Sequence, residues 1–426
     1  MKTSFQPLLL LIILLLLGCE PMSQSIDKAA VANTYNVVIG PTTSIPTSLS
    51  GLPVVEPHIS AHPMNNDHLL VAAMIVTDRD NPYTSCRLVS FVSKDGGRAW
   101  TETVHDWWGY DPWTSILPSG EAAMTWIGNK GNFEDYYPIR FFNSNDGGMS
   151  WSDEVQTLEG NHDGTKLTAG HNRFFFTTVQ FKENMGTDVV LMEKQPGGAF
   201  AEVSRVDGKT SRLDFCEPAL TIDGSVLVPY TQNASRVWVR KFDHENLEST
   251  TLVSIHPGGS RGYSRMVSDT VTSSLFYGRV YHGRATPNGL ILNYSSDVGK
   301  TWSKDKRVDL FTNNVPSKSL IISLAVNNEG VLGISWVDSY DRATQNTFDT
   351  YFTFSLDGGE SFQRPIRITS EGTDPKTALN ADVANKFTGG GHYMGLTSRV
   401  DGSFQLVWSD SRSGLFELQT CNVRLK

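Results

Sequence analysis

Ser93-Lys94-Asp95-Gly96-Gly97-Arg98-Ala99-Trp100 is one of four related stretches. The others are Ser144-Asn145-Asp146-Gly147-Gly148-Met149-Ser150-Trp151, Ser295-Ser296-Asp297-Val298-Gly299-Lys300-Thr301-Trp302 and Ser355-Leu356-Asp357-Gly358-Gly359-Glu360-Ser361-Phe362. The shared pattern is Ser-x-Asp-x-Gly-x-x-aromatic. Each copy follows an apolar run such as Leu88-Val89-Ser90-Phe91-Val92, which places it at a strand end. Ser and Asp side chains can bond nearby backbone N–H groups, and Gly supplies the positive φ of a tight turn. The aromatic then re-enters the sheet to pack between neighbouring units. Asp95, Trp100, Asp146, Trp151, Asp297, Trp302, Asp357 and Phe362 are therefore assigned a structural role, because repeats of this period signal architecture before chemistry.

The spacing sets that architecture. Asp95 to Asp146 is 51 residues, Asp146 to Asp297 is 151 and Asp297 to Asp357 is 60. The long interval holds about three repeats of roughly 50 residues, so two copies of the turn have decayed. Gln195-Pro196-Gly197-Gly198-Ala199-Phe200 reads as one degenerate copy. A second pattern lies between the turns, a Gly followed by a buried strand: Gly120 before Glu121–Trp126, Gly224 before Ser225–Tyr230, Gly330 before Val331–Trp336 and Gly402 before Ser403–Trp408. Several short strands per repeat make an all-β β-propeller of four-stranded antiparallel blades. Inner strands beginning near Glu56, Asp111, Lys166, Glu217, Tyr263, Lys318 and His392 give seven blades, with six as the alternative. The chain ends without a fourth strand for its last unit, and Tyr35–Ile39 is an orphan strand expected to complete it and remove an exposed edge. Helix-period patterns are absent after the N-terminal segment.

The 426 residues carry a net charge of −9 and are 39% hydrophobic, the composition of a soluble globular domain with a sizeable core. Mild acidity without a basic stripe argues against a nucleic-acid partner. Leu8–Leu17 is too short an apolar run to span a bilayer, and with Lys2 it reads as a signal segment. Leu16-Leu17-Gly18-Cys19 resembles a bacterial lipobox. That resemblance implies residues 1–18 as a signal peptide and Cys19 as the lipidated residue. With Glu20 and not Asp following, it implies an outer-membrane lipoprotein of the cell envelope. Residues 19–34 would be a polar tether and 35–426 a single propeller domain. Cys86, Cys216 and Cys421 then remain, an odd number with no metal-ligand spacing; one disulfide and buried free thiols are both open. No cofactor or metal is expected, and the chain is expected to be a monomer.

In a four-stranded blade the 4–1 and 2–3 loops share one face, and a site built from several blades belongs there. The 4–1 connections supply Glu56, His58, Trp107, Trp108, Tyr110, Asp111, Trp113, Glu217, Arg265, Lys318, His392 and Tyr393. The 2–3 loops supply Asp78, Arg79, Asp80 and Arg236. Paired carboxylates can do acid and base work on a glycosidic bond, arginines can fork onto a carboxylate, and Trp faces can stack on a sugar ring.

The four turns are identified as Asp-boxes, and the chain resembles the sialidase-like Asp-box β-propellers over essentially all of residues 35–426. The resemblance of Val71–Asp80 to the stretch carrying the acid implies Asp80 as proton donor, with Asp78 as the alternative. Phe215-Cys216-Glu217-Pro218 is similar to the segment around the Glu that activates the nucleophile, which implies Glu217 as base or activator. Arg236 and Arg265 fall where two carboxylate-binding arginines are expected, and Arg79, His58, Trp107, Trp108, Tyr110, Asp111, Lys318, His392 and Tyr393 complete the expected substrate contacts. Glu56-Pro57-His58 stands where the family has Arg-Ile-Pro, and Ser317-Lys318-Ser319 where it has the nucleophilic Tyr, so cleavage of sialic-acid glycosides is expected to be weak or absent. The expected function is glycoside hydrolysis or glycan recognition at the channel mouth. The alternatives are a non-catalytic surface propeller and a polysaccharide lyase using His58, His392 and Tyr393.

Overall fold

A computed structural model describes residues 36–130, 137–153, 155–183, 185–215, 217–233, 235–243, 249–256, 264–286, 289–309, 321–338, 347–374 and 381–426. Cys19, Cys216 and Lys318 lie outside these residues. The described part is all-β apart from one short helix, Ala381–Lys386, and a 3₁₀ turn at Thr388–Gly390. That helix corrects the reading of a helix-free chain: at six residues it is shorter than two turns, so no helical period can show in the sequence. None of the described helices is long and apolar enough to cross a membrane.

The strands form antiparallel sheets taken in chain order. The first has seven strands, Val54–Ala61, Leu69–Val76, Cys86–Ser93, Thr101–Ile116, Ala122–Lys130, Ile139–Ser144 and Gln156–Leu158. Its long fourth strand serves two groups. Thr101–Trp108 pairs with the Cys86–Ser93 strand, while Trp107–Ile116 pairs with Ala122–Lys130. Next come His162–Gly170, Arg173–Phe181, Thr187–Lys194 and Phe200–Val206. In the third sheet Leu213–Phe215 and Ala219–Leu220 share the partner Val226–Gln232, followed by Arg236–Phe242 and Ser249–His256. The fourth holds Ser264–Ser268, Val280–Thr286, Gly289–Ser295 and Lys306–Arg307; the fifth Ile321–Val326, Leu332–Asp338, Asp349–Ser355 and Ile366–Arg367. The last holds Gly395–Ser398, Phe404–Asp410 and Glu417–Leu425. Its edge is covered from the other end of the chain: Val37–Ile39 pairs with Val423–Leu425, and Thr43–Ile45 with Leu418–Thr420. Such pairing removes a bare edge.

The leading strands also pack on one another. Val54–Ala61 meets Thr101–Ile116, which meets His162–Gly170, then Ala219–Leu220, Ser264–Ser268, Ile321–Val326 and Gly395–Ser398, which packs back on Val54–Ala61. Between sheets lie apolar clusters that take the aromatics of the repeated turns. Trp100 packs with Val71, Phe91, Val407 and Leu418; Trp151 with Ala72, Leu88, Trp126 and Phe142; Trp302 with Leu227, Val239 and Val280; Phe362 with Tyr281, Leu292 and Leu332. Phe200, at the end of the degenerate copy, packs edge-on or tilted against Phe141 and Phe176. Cys86 and Cys421 are buried free thiols.

The four turns are built alike. In the first, Ser93 Oγ donates to Asp95 Oδ1 (2.9 Å) and accepts from Gly97 N (2.8 Å), while Asp95 Oδ1 accepts from Ala99 N (2.9 Å). The same Ser–Asp and Gly–Ser bonds recur at Ser144, Ser295 and Ser355, at 2.7–2.8 Å. The residue after the Asp is left-handed in each: Gly96 at φ 77°, Gly147 at 74°, Gly358 at 69°, but Val298 at 57°. A β-branched residue there is a genuine outlier, and the left-handed region costs an L-residue roughly 1–2 kcal/mol, partly offset by the greater chain entropy of Gly. Val298→Gly is therefore expected to stabilise the protein by about 0.5–1 kcal/mol, read as a raised urea midpoint with an unchanged slope.

Candidate active site

The site arises from one irregularity repeated along adjacent leading strands. The register steps from Val55↔Met74 to His58↔Ala72, from Tyr110↔Ile127 to Trp113↔Thr125, and from Asp163↔Val179 to Lys166↔Thr177. Each step inserts one extra residue, a β-bulge. The residues at the bulge, Glu56, Asp111 and Gly164, have φ of 55°, 53° and 65°. Pro57 and Pro112 follow the two acids and can give no ladder hydrogen bond, so the bulge falls where the ladder is already broken. Left-handed backbone before a proline is strained, and such strain persists where the surroundings over-determine it, commonly at functional sites. Glu217-Pro218 occupies the matching place in the third sheet, between Phe215↔Tyr230 and Ala219↔Leu227.

These bulges bring Glu56, Asp111, Asp163 and Lys166 to a cavity of about 880 Å³, lined also by Lys386, Phe387, His392 and Tyr393 and by residues of the second and third sheets. Glu56 and Asp111 are 2% and 8% exposed. Each carboxyl acts on the other, lowering Glu56 and raising Asp111. Burial raises both above the usual carboxylate range, and the Glu56 charge raises Asp111 further. Glu56 also accepts from the His392 backbone N (3.0 Å) and lies 3.3 Å from its Nδ1. Loss of hydration, with the charges of Asp111 and Asp214, pushes Asp163 up to about 6. Burial holds Lys166 below its ordinary value, against the pull of Asp111.

Beneath the carboxyls is an aromatic and cationic layer. Trp113 is fully buried, with His58 stacked on it at 3.9 Å and Tyr393 edge-on at 5.4 Å. Lys166 Nζ sits 4.2 Å from the Trp113 ring centre and 3.6 Å from that of Tyr393. Arg265, 2% exposed, lies 4.8 Å from the Trp113 ring and 4.0 Å from the Glu217 carboxylate. Cation–π attraction is strongest where water is excluded, as here. His58 Nδ1 accepts from Thr114 N (3.3 Å), and burial drives the imidazole well below its ordinary value, which favours its neutral form. Burial pushes Glu217 up to about 7, against the pull of the Arg265 and Lys166 charges. Glu217 opens onto a second cavity of about 410 Å³ running along Thr168–His171, Pro218–Leu220 and Met266–Ser268.

Of the residues expected from the sequence, Asp111, Tyr110, His392 and Tyr393 line the larger cavity, and His58 and Arg265 stand directly behind it. Glu217 faces the second cavity through the same layer. The structure places five others elsewhere. Asp80 is exposed in the loop after Leu69–Val76, and Arg79 beside it donates to the Gly51 carbonyl. Arg236 is exposed at the start of its strand. Trp107 packs between sheets on Trp126 and Phe142, and Trp108 lies near Arg87. Both tryptophans lie at the crossover of the Thr101–Ile116 strand, where its pairing passes from Cys86–Ser93 to Ala122–Lys130, and neither lines the cavity. Glu56, Trp113 and Lys166, visible as leading-strand residues, and Asp163 and Lys386 carry more of the site than these. The signal was the acid–proline pair, repeated at Glu56-Pro57, Asp111-Pro112 and Glu217-Pro218 in step with the repeat.

No family model matches the chain, and no curated protein sequence matches it. Solved structures do. A protein of unknown function from Dyadobacter fermentans matches at 12% identity and TM-score 0.50, over 92% of this chain and 99% of that one. An α-L-arabinofuranosidase variant from Fusarium graminearum, in complex with an iminosugar inhibitor, matches at 13% identity and TM-score 0.50, over 75% of this chain and 98% of that one. At these identities the likeness is one of fold: an all-β protein of four-stranded antiparallel sheets, in the architecture these structures share.

Proposed function

We propose that the protein is a glycoside hydrolase acting at the larger cavity, with the Glu56–Asp111 pair as proton donor and Asp163, on the next strand, as the base or nucleophile side. The observation that carries this is the constellation of acids: Glu56 and Asp111, buried on neighbouring leading strands and each acting on the other's ionisation, face one cavity with a third carboxyl, Asp163. Glycoside hydrolysis needs one carboxyl held protonated near neutral pH and a second able to act as a base or nucleophile. The acid role thus passes from Asp80 to Asp111, and Glu217 becomes an electrostatic neighbour through Arg265. The fold relative from Fusarium graminearum, an arabinofuranosidase bound to an iminosugar, supports a saccharide ligand. The lining has a single arginine, Arg212, among its described residues and so no cluster of arginines to fork onto a sugar carboxylate, which favours a neutral sugar over a sialic acid. The test is a panel of neutral, sialylated and uronate oligosaccharides with release of reducing ends measured. Cleavage of a neutral glycoside is expected. Unsaturated products from a uronate polymer would favour a lyase using His392 and Tyr393, which also line the cavity, and saccharide binding without cleavage would favour a recognition module.

We further propose that the sheets make seven four-stranded blades of a propeller. The double use of Thr101–Ile116 and the ring of packing between leading strands support this count. The lipobox-like Leu16-Leu17-Gly18-Cys19 supports a lipid anchor at Cys19 and an outer-membrane location, with 19–34 as tether to the 35–426 domain. Metabolic labelling with a fatty-acid analogue, lost on Cys19→Ala, tests the anchor.

A further inference from the structure

We infer that the second cavity is a binding site in its own right, for a small organic ammonium whose charge sits on the Glu217 carboxylate and whose apolar body fills the remaining space. The site does not depend on how the larger cavity is read. Its volume of about 410 Å³ falls within the roughly 300–1,000 Å³ of small-molecule sites. Three neighbouring leading strands, His162–Gly170, Ala219–Leu220 and Ser264–Ser268, pack on one another and carry much of its lining, so its shape is set before a ligand arrives. Thr270 and Tyr277 also line it and are exposed, which opens it to solvent.

The lining decides what fits. Leu220, Ile222, Met266, Val267 and Leu324 make it apolar. Among the described residues Glu217 is its one carboxylate, and no lysine or arginine lines it. The Arg265 Nε that pairs with Glu217 stands 4.0 Å away, beyond hydrogen-bond length. Arg265 is 2% exposed and does not line the cavity, so an entering ligand meets the acid and not the guanidinium. An ammonium brings both a charge and three donors to such a carboxylate. The Tyr277 ring adds a face that attracts cations. His171 Nε2 donates to the Thr221 carbonyl (2.9 Å) and so commits that proton to the chain. A metal ion fits less well, because no three acid, histidine or cysteine side chains come together among the described residues. The titratable groups around Glu217 are thus Arg265 and Lys166 in the layer and His171 and Tyr277 in the lining. Burial raises the carboxyl to about 7, and a cation at hydrogen-bond distance would draw it back down.

The test is calorimetry with benzylamine and cyclohexylmethylamine, each paired with the alcohol of the same skeleton. Both amines are ammonium ions near neutral pH. At about pH 8 each should bind about 10- to 100-fold more tightly than its alcohol, the difference for a hydrogen bond to a charged group. Between about pH 6 and about pH 8 the amines should tighten about tenfold and the alcohols stay unchanged, because a carboxyl that ionises near 7 is mostly neutral at the lower value and mostly charged at the higher. Glu217→Gln should bring the amines to the level of the alcohols and abolish the pH dependence. Asp163→Asn, which alters the larger cavity, should leave amine binding as in wild type. Melts without ligand check that both variants fold, and the comparison of amine with alcohol needs only the wild type. No binding of either amine, equal affinity for amine and alcohol, or amine binding lost in Asp163→Asn and kept in Glu217→Gln overturns the site. None of these results bears on whether the larger cavity cleaves a glycoside.

Discussion

Asp111→Asn is expected to lower kcat by about 10²- to 10⁴-fold, the usual share of a positioned general acid, with KM little changed. The amide keeps the shape but has no proton to give to the leaving oxygen. Glu56→Gln should act differently. It removes the charge that helps hold the proton on Asp111, so residual activity should persist and its alkaline limb should move to lower pH. A carboxyl raised above its ordinary value is a competent acid up to that higher pH and loses its proton, and the activity, as pH rises through it. The same shift reaches stability. Folded Asp111 binds its proton more tightly than the unfolded chain does, so the folded state is favoured at low pH and that advantage is lost as pH rises through the folded value. Asp111→Asn, which cannot ionise, should therefore be more stable than wild type on the alkaline side. Thermal melts across pH check this, and an Asp111→Asn variant that is less stable there and fully active would remove Asp111 from the mechanism.

The second large effect is Trp113→Ala. The indole is fully buried and packed by His58 and Tyr393, and large-to-small replacement of such a side chain costs about 3–5 kcal/mol. It is also the surface against which Lys166 and Arg265 hold their charges, so the loss should extend to turnover in protein that stays folded. Trp126→Ala is the control. Trp126 is equally buried but packs on Trp107 and Phe142 away from the cavity, so the variant should lose comparable stability and keep wild-type kcat/KM once folded. Chemical denaturation together with kinetics below the transition separates the two. If both variants lose only stability, the layer under the carboxyls is packing alone.

The repeated turns made the sheets legible because each needs the same Ser, Asp and Gly atoms in the same places, as the bonds of Ser93, Ser144, Ser295 and Ser355 show. The pairing of Val37–Ile39 with the final strand was legible from an unpartnered strand at each end of the sequence. The site was legible only in part. Asp111, His392, Tyr393 and Arg265 came from counting leading strands, and they do converge. Asp80, Arg79 and Arg236 came from assigning the 2–3 loops to the site face, with Asp80 and Arg236 also taken from positional likeness to the sialidase-like propellers, and side chains on loops are free to diverge while a fold persists. Trp107 and Trp108 looked like a sugar platform because the run Asp106–Trp113 looks continuous. The strand instead crosses from one group to the next within it, and a bulge between Tyr110 and Trp113 re-aims the side chains beyond it. Lys166 was visible as the start of a leading strand but not as part of the site, because a lysine inside a strand looks solvent-facing; only the fold shows it buried between two aromatic rings.

The most direct measurement is a crystal structure of the Asp111→Asn protein soaked with the oligosaccharide that the wild type cleaves best. The expected result is a saccharide in the larger cavity. Its glycosidic oxygen should lie within roughly 2.6–3.2 Å of the side chain at position 111, the reach of a proton donor. A saccharide bound in the second cavity beside Glu217, or at the exposed loop carrying Asp80, would contradict it.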